Sequence, residues 1–138
     1  AFPKLKRLDL NHSPKLIRIP DLYLSPDIEE ILLEGCERLT KVYSSGFLNK
    51  LNYLNLDECS ELRRLTIPSN MLSRSSGSIN LSHCSKLETF SIPNRTQWNN
   101  VVMFWSSFRI WKHYCYDWSS FRICHNVLVN TNGAYTYG

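Results

Sequence analysis

One phrase is written four times in this chain, and a chain that repeats itself at a fixed short step can fold only as a stack of similar units. The copies are Leu5-x-x-Leu8-x-Leu10-x-x-Ser13, Ile28-x-x-Ile31-x-Leu33-x-x-Cys36, Leu51-x-x-Leu54-x-Leu56-x-x-Cys59 and Ser76-x-x-Ile79-x-Leu81-x-x-Cys84. They begin at residues 5, 28, 51 and 76, so the steps are 23, 23 and 25. Two more apolar positions follow in every copy: first Leu16, Leu39, Leu62 and Leu87, then Ile19, Val42, Leu65 and Phe90. In the fourth unit Ser76 replaces the first apolar residue, and the longer step before it predicts an enlarged loop around Met71 to Gly77.

The spacing x-Leu-x-Leu-x describes a short strand whose alternate side chains face opposite sides of a sheet. Parallel stacking of such strands, about 4.8 Å apart, lines the inward leucines into a core that no single unit could bury alone. A step of 20 to 29 residues with this wording marks leucine-rich repeats. The fold class expected is therefore α/β, a leucine-rich repeat solenoid with a short parallel sheet and about four repeats. The later apolar pair seals its back. Pro20, Pro26, Pro68 and Pro93 predict irregular connections with few regular helices.

Where the chain leaves each strand, a small side chain able to hydrogen-bond the bending backbone is required, and Cys fits that slot. Cys36, Cys59 and Cys84 should then form an inward ladder of buried, unbridged thiols, which agrees with a reducing compartment. The expected location is cytoplasmic, or nuclear as well. The opening Ala-Phe-Pro-Lys lacks the apolar core of a signal peptide. Three Asn-x-Ser/Thr sequons, at Asn11, Asn80 and Asn94, would matter only in a secreted protein, and the first two fall on or beside strands.

The 138 residues and 43% hydrophobic content allow one core. The net charge of +4 is spread thinly, with 13 basic and 11 acidic groups in residues 1–97 and 3 and 1 in residues 98–138. That leaves no dense basic stripe for a nucleic-acid backbone, so no nucleic-acid partner is expected. The apolar run Val101 to Trp105 is far short of the roughly 20 residues that span a bilayer, so no membrane partner is expected either.

After Pro93 the repeat wording stops, which divides the chain into repeats over residues 1–97 and an aromatic-rich tail or cap over 98–138. The tail holds Trp98, Trp105, Trp111 and Trp118, and the phrase Trp105-Ser-Ser-Phe-Arg-Ile110 returns as Trp118-Ser-Ser-Phe-Arg-Ile123. It is expected to cover the open end of the stack, because terminal repeats need a cap. Arg109, Lys112 and Arg122 among the aromatics are too few to make a single-strand nucleic-acid platform. His113, Cys115, Cys124 and His125 could supply four zinc ligands, but their spacing is that of no familiar finger, and no metal is expected.

The wording is similar to a known family. Leu5-Lys-Arg-Leu-Asp-Leu-Asn-His-Ser-Pro-Lys-Leu-Ile-Arg-Ile-Pro-Asp-Leu22 and Ser25-Pro-Asp-Ile-Glu-Glu-Ile-Leu-Leu-Glu-Gly-Cys-Glu-Arg-Leu39 resemble early repeats of plant intracellular immune receptors of the TIR, nucleotide-binding, leucine-rich repeat class. Tyr53 to Leu62 and Ile79 to Phe90 continue the resemblance, which covers residues 2 to 94. It implies a protein-recognition module that senses a pathogen effector or makes regulatory contacts with other domains of a receptor. It also implies a C-terminal β-sandwich, for which the forty-odd residues of the tail are too few, so that a degenerate remnant is expected there.

No Gly-x-x-x-x-Gly-Lys-Ser/Thr phosphate loop and no TIR domain are present, so the family's nucleotide chemistry transfers to no residue here. No cofactor is expected. Nor is an enzyme, since no nucleophile, base and orienting group are brought together by any motif. His12 and His83 hold the same place in their repeats, which explains them better than catalysis does. A substrate-recognition repeat of a ubiquitin-ligase adaptor, or a fragment with no independent function, is the alternative. No F-box segment is present to favour the former.

Alternation sends three columns of residues to the concave face: Arg7, Glu30, Tyr53 and Ser78; Asp9, Leu32, Asn55 and Asn80; and Asn11, Glu34, Asp57 and Ser82. The first two columns are the expected partner-binding residues. Leu32 and Tyr53 stand out, because an exposed aliphatic beside an aromatic suits the centre of an interface. Arg7 beside Glu30 has a second, plainer reading as a simple cross-strand ion pair.

Overall fold

The computed structural model describes residues 2–71 and 76–91, together with three strands further on at 101–104, 127–130 and 134–136. Each copy of the phrase folds as a three-residue strand, and the four align side by side. These are β1 (Arg7–Asp9), β2 (Glu30–Leu32), β4 (Tyr53–Asn55) and β6 (Ser78–Asn80), all parallel, with Leu8, Ile31, Leu54 and Ile79 in register. The second apolar pair makes a sheet of its own on the back. Its strands are β3 (Lys41–Tyr43), β5 (Arg64–Thr66) and β7 (Thr89–Ser91), parallel, with Val42, Leu65 and Phe90 in register. Thus the connections expected to be irregular are in part a second ladder. Helix is confined to short turns such as Leu22–Leu24, and no α-helix occurs among the described residues.

The first repeat has no strand in the back sheet. Pro20 stands where the next repeats have Tyr43 and Thr66, one and two steps of 23 further on. With no N–H to donate, it cannot join a ladder there.

Between the two sheets lies one apolar core. Ile31, Leu33, Leu39, Val42, Leu54, Leu56, Leu62, Leu65, Ile79 and Leu81 are all 0% exposed. A seventh aligned position, absent from the sequence reading, carries Leu48 and Met71, both fully buried and 23 residues apart, with buried Ser25 a step earlier. Met71 therefore keeps the register, and the longer step falls after it. Gly77 shows how tightly the chain closes there, since a Cβ would lie 1.8 Å from the Met71 carbonyl oxygen. Residues 72–75 of the expected loop lie outside the described residues.

The turn after each strand is built the same way four times. His12, Gly35, Glu58 and His83 all have left-handed φ, between 57° and 72°. Only glycine adopts that region freely, so three of the four turns carry a backbone cost of about 1 kcal/mol or more each. Neighbouring turns bind one another: His12, Gly35 and Glu58 donate their N–H to the carbonyls of Glu34, Asp57 and Ser82.

The thiol ladder is as expected, and its partners are now visible. Cys36, Cys59 and Cys84 are unbridged and fully buried, and each Sγ lies 3.1 to 3.2 Å from a carbonyl of the preceding repeat, of Leu10, Leu33 and Leu56 respectively. The Leu33 and Leu56 carbonyls also accept the N–H of Cys36 and Cys59, which uses both of their lone pairs. Burial, reinforced by the neighbouring thiol, pushes Cys59 up to about 12 and Cys84 well above its ordinary range. Burial also raises Cys36.

Beyond the repeats, β8 (Val101–Phe104) pairs in parallel with β6, β9 (Val127–Asn130) in parallel with β8, and β10 (Ala134–Thr136) antiparallel with β9. The main sheet thus runs to seven strands, and the repeat wording ends before the strand pairing does. The four tryptophans, the duplicated phrase, Asn94 and the candidate zinc ligands His113, Cys115, Cys124 and His125 lie outside the described residues.

Candidate functional site

The open face of the front sheet is where the sequence reading put a partner. The structure separates its columns by what their side chains already do. Asp9, Asn55 and Asn80 each turn a side-chain oxygen onto the N–H two residues on, of Asn11, Asp57 and Ser82, at 3.2, 3.0 and 2.9 Å. They shape the strand ends, as short polar side chains do in Asx turns. Leu32 is the exception in this column and has no such oxygen. The N–H of Glu34 is instead accepted by Asn11 Oδ1 from the repeat before, at 2.8 Å.

Leu32 also corrects an expectation. It is only 7% exposed, because it sits in register between Asp9 and Asn55, whose strands crowd it from both sides. Ser82 of the third column is buried as well, at 1%. An exposed aliphatic at the centre of the face is therefore absent. Ser78 is half-buried at the end of the first column.

What remains open is acidic, with one aromatic at its middle. Tyr53 lies in register beside Glu30. Partial burial raises its phenol above the ordinary range, and the charges of Glu34, Asp57 and Glu30 push the same way. A phenol so placed stays neutral and offers a proton to an acceptor. Arg7 lies 3.4 Å from Glu30 and 3.6 Å from Asp9, so the plainer of its two readings, a cross-strand ion pair, forms. At one rim His12 meets Glu34 at 3.7 Å and His83 meets Asp57 at 2.9 Å. The two Arg7 pairs are substantially exposed, so each is worth about 0 to 1 kcal/mol.

Asp57, Glu58 and His83 bring three possible metal-ligand atoms within 4.8 Å of one another, a juxtaposition the sequence reading missed. The repeat explains it. Glu58 and His83 share the left-handed turn position, and Asp57 precedes the first of them, so stacking alone brings them side by side.

Fold and face together define the class: a leucine-rich repeat solenoid whose open sheet carries an acidic surface around Tyr53. The comparisons add kinship. The chain is 38% identical over 64 residues to TMV resistance protein N of Nicotiana glutinosa, a match covering 46% of this chain and 6% of that protein. It is 37% identical over 68 residues to disease resistance protein RRS1 of Arabidopsis thaliana, covering 49% of this chain and 5% of that one. Against disease resistance protein RPS4B of Arabidopsis thaliana it is 36% identical over 70 residues, 50% of this chain and 6% of the relative. These matches bear out the resemblance to the repeat region of plant TIR-type nucleotide-binding resistance proteins. The chain spans only about one-twentieth of the length of the curated relatives it matches. No protein-family model and no solved structure matches it.

Proposed function

We propose that the chain is a protein-recognition module of plant innate immunity, whose front sheet senses a pathogen effector or contacts other domains of a resistance receptor. The observation that supports this most is Tyr53, a neutral aromatic held among the carboxylates of Glu30, Glu34 and Asp57. Aromatic anchors in a charged rim are what interfaces use, and an acidic rim fits a basic partner surface. Kinship to disease resistance proteins supports the setting. On this reading the chain is not an enzyme, uses no cofactor, and works in the cytoplasm or nucleus, where its three protonated ladder thiols stay reduced.

The test is surface plasmon resonance of the chain against a panel of effectors and receptor domains, repeated with Tyr53→Ser combined with Glu30→Lys. Binding of a partner found in the panel should fall by roughly tenfold or more. An unchanged affinity would take the front sheet out of the interface. Leu32 is left intact in this test, because replacing a buried residue would confuse stability with binding.

A further inference from the structure

We propose that the back sheet is a second docking surface, fitted to an acidic, extended segment of a protein partner. The two faces of this molecule carry opposite charge. Where the front sheet gathers Asp9, Glu30, Glu34 and Asp57, the outward side of the back carries a row of cations, one in each of the first three repeats, with Thr89 at that place in the fourth. Lys41 and Arg64 are exposed and in direct register on β3 and β5, while Val42 and Leu65 beside them point into the core. Arg18, exposed and one repeat earlier, continues the row.

Like charges placed directly opposite on neighbouring strands destabilise a sheet. Within the described residues the Asp21 carboxylate acts on Lys41 from beyond ion-pair distance, which offsets the pair only in part. Arg63 is joined to Glu88 at 3.1 Å and Lys86 to Glu61 at 2.7 Å, which takes up two nearby carboxylates. Arg18, Lys41 and Arg64 form no ion pair within 4.0 Å among the described residues, and Lys41 instead lies 4.6 Å from the centre of the Tyr43 ring. The row therefore has no close counter-ion, with Asp21 a partial offset at its Lys41 end and an aromatic beside it.

It is also concave where it begins. Because Pro20 keeps the first repeat out of the back ladder, the chain opens there into a cleft of about 360 Å³ lined by Arg18, Ile19, Thr40, Lys41 and Tyr43. Two cations, an aromatic and a hydroxyl around one cleft suit a carboxylate side chain. The strand spacing of about 4.8 Å then presents Arg64 to the next acidic group of an extended segment. Three cations make a short row, which suits an acidic peptide better than the long backbone of a nucleic acid.

The test uses fluorescence anisotropy with the full 138-residue chain and a labelled twelve-residue peptide of alternating Glu and Tyr, against the same peptide with Gln for Glu. The expected result is binding of the Glu peptide only, weakening as salt rises because exposed charges are screened. Arg64→Glu should weaken that binding roughly tenfold. The same change should raise the melting temperature of the free chain, since it turns the repulsion with Lys41 into attraction. A purely structural Arg64 would instead lose melting temperature on replacement, and that outcome overturns the proposal. So does equal binding of the Gln peptide, or tighter binding of a single-stranded oligonucleotide of the same charge. Salt-reversible self-association of the chain at the concentrations used would also overturn it, by assigning the row to the molecule's own acidic face.

Discussion

The first repeat and the two that follow it carry the same phrase and are buried to different depths. Leu5, Leu8, Leu10, Leu16 and Ile19 only partly enter the core, whereas Ile31, Leu33 and Leu39, and after them Leu54, Leu56 and Leu62, are 0% exposed. At the first repeat's outer side lies an apolar cleft of about 350 Å³ among Phe2, Leu5, Leu8, Leu10 and Leu22. A leucine in this fold is buried by the repeats on both sides of it, and its own unit supplies only the direction in which it points. Stability in such a stack is accordingly a sum of units and interfaces, and it differs along the chain.

The largest expected effect tests that difference directly. Leu54→Ala, between two repeats, should cost about 3 kcal/mol, while Leu8→Ala at the same place in the first repeat should cost about half as much or less. Urea unfolding of both variants measures this. Equal losses would mean that the first repeat is as closed as the third.

A smaller effect is expected from the thiol ladder. Cys59→Ala removes a buried sulfur and its hydrogen bond to the Leu33 carbonyl, at about 1 to 2 kcal/mol. With its thiol pushed up to about 12, Cys59 has roughly one molecule in ten thousand ionised at pH 8. Mass spectrometry after iodoacetamide should find Cys36, next to the open first repeat, modified before Cys59 and Cys84. The raised value also fixes a pH dependence. Above the unfolded thiol's ordinary value of about 9.0, the unfolded chain loses protons that the folded chain retains, so stability falls from there through about 12. A flat stability profile across that window would show that the ladder is open to solvent.

The smallest effects compare two turns. Gly35→Ala should cost about 1 kcal/mol, because φ is +72° and the new Cβ would meet His12 Nδ1 at 2.6 Å, a ring that can shift. Glu58→Gly, at the equivalent turn with φ of 61°, should be neutral or stabilise by a few tenths of a kcal/mol. Thermal melts of the two variants moving in the same direction would show that the repeats do not share one turn.

Much of this was legible in the sequence because a repeat states its geometry several times over. The strand positions, the inward leucines, the thiol ladder, the Arg7–Glu30 pair and the kinship all follow from the aligned phrase. The Leu48 and Met71 position went unread because Ser25 breaks its apolar pattern. The second sheet was hidden for a similar reason: one buried residue per strand, as in Lys41-Val42-Tyr43, leaves no alternation to read. Leu32 was misplaced because alternation gives a side chain's direction, whereas its exposure depends on what stands in the neighbouring strands.

By itself, then, the sequence determined the step, the strand and the sign of each side chain's direction, since those are set by local geometry along one unit. Only the tertiary structure decided that Asn11 holds the turn of the next repeat, which leucines are sealed, and that the two faces carry opposite charge. Those properties belong to residues 23 or more apart, brought within hydrogen-bond and ion-pair distance by stacking, and no local pattern contains them.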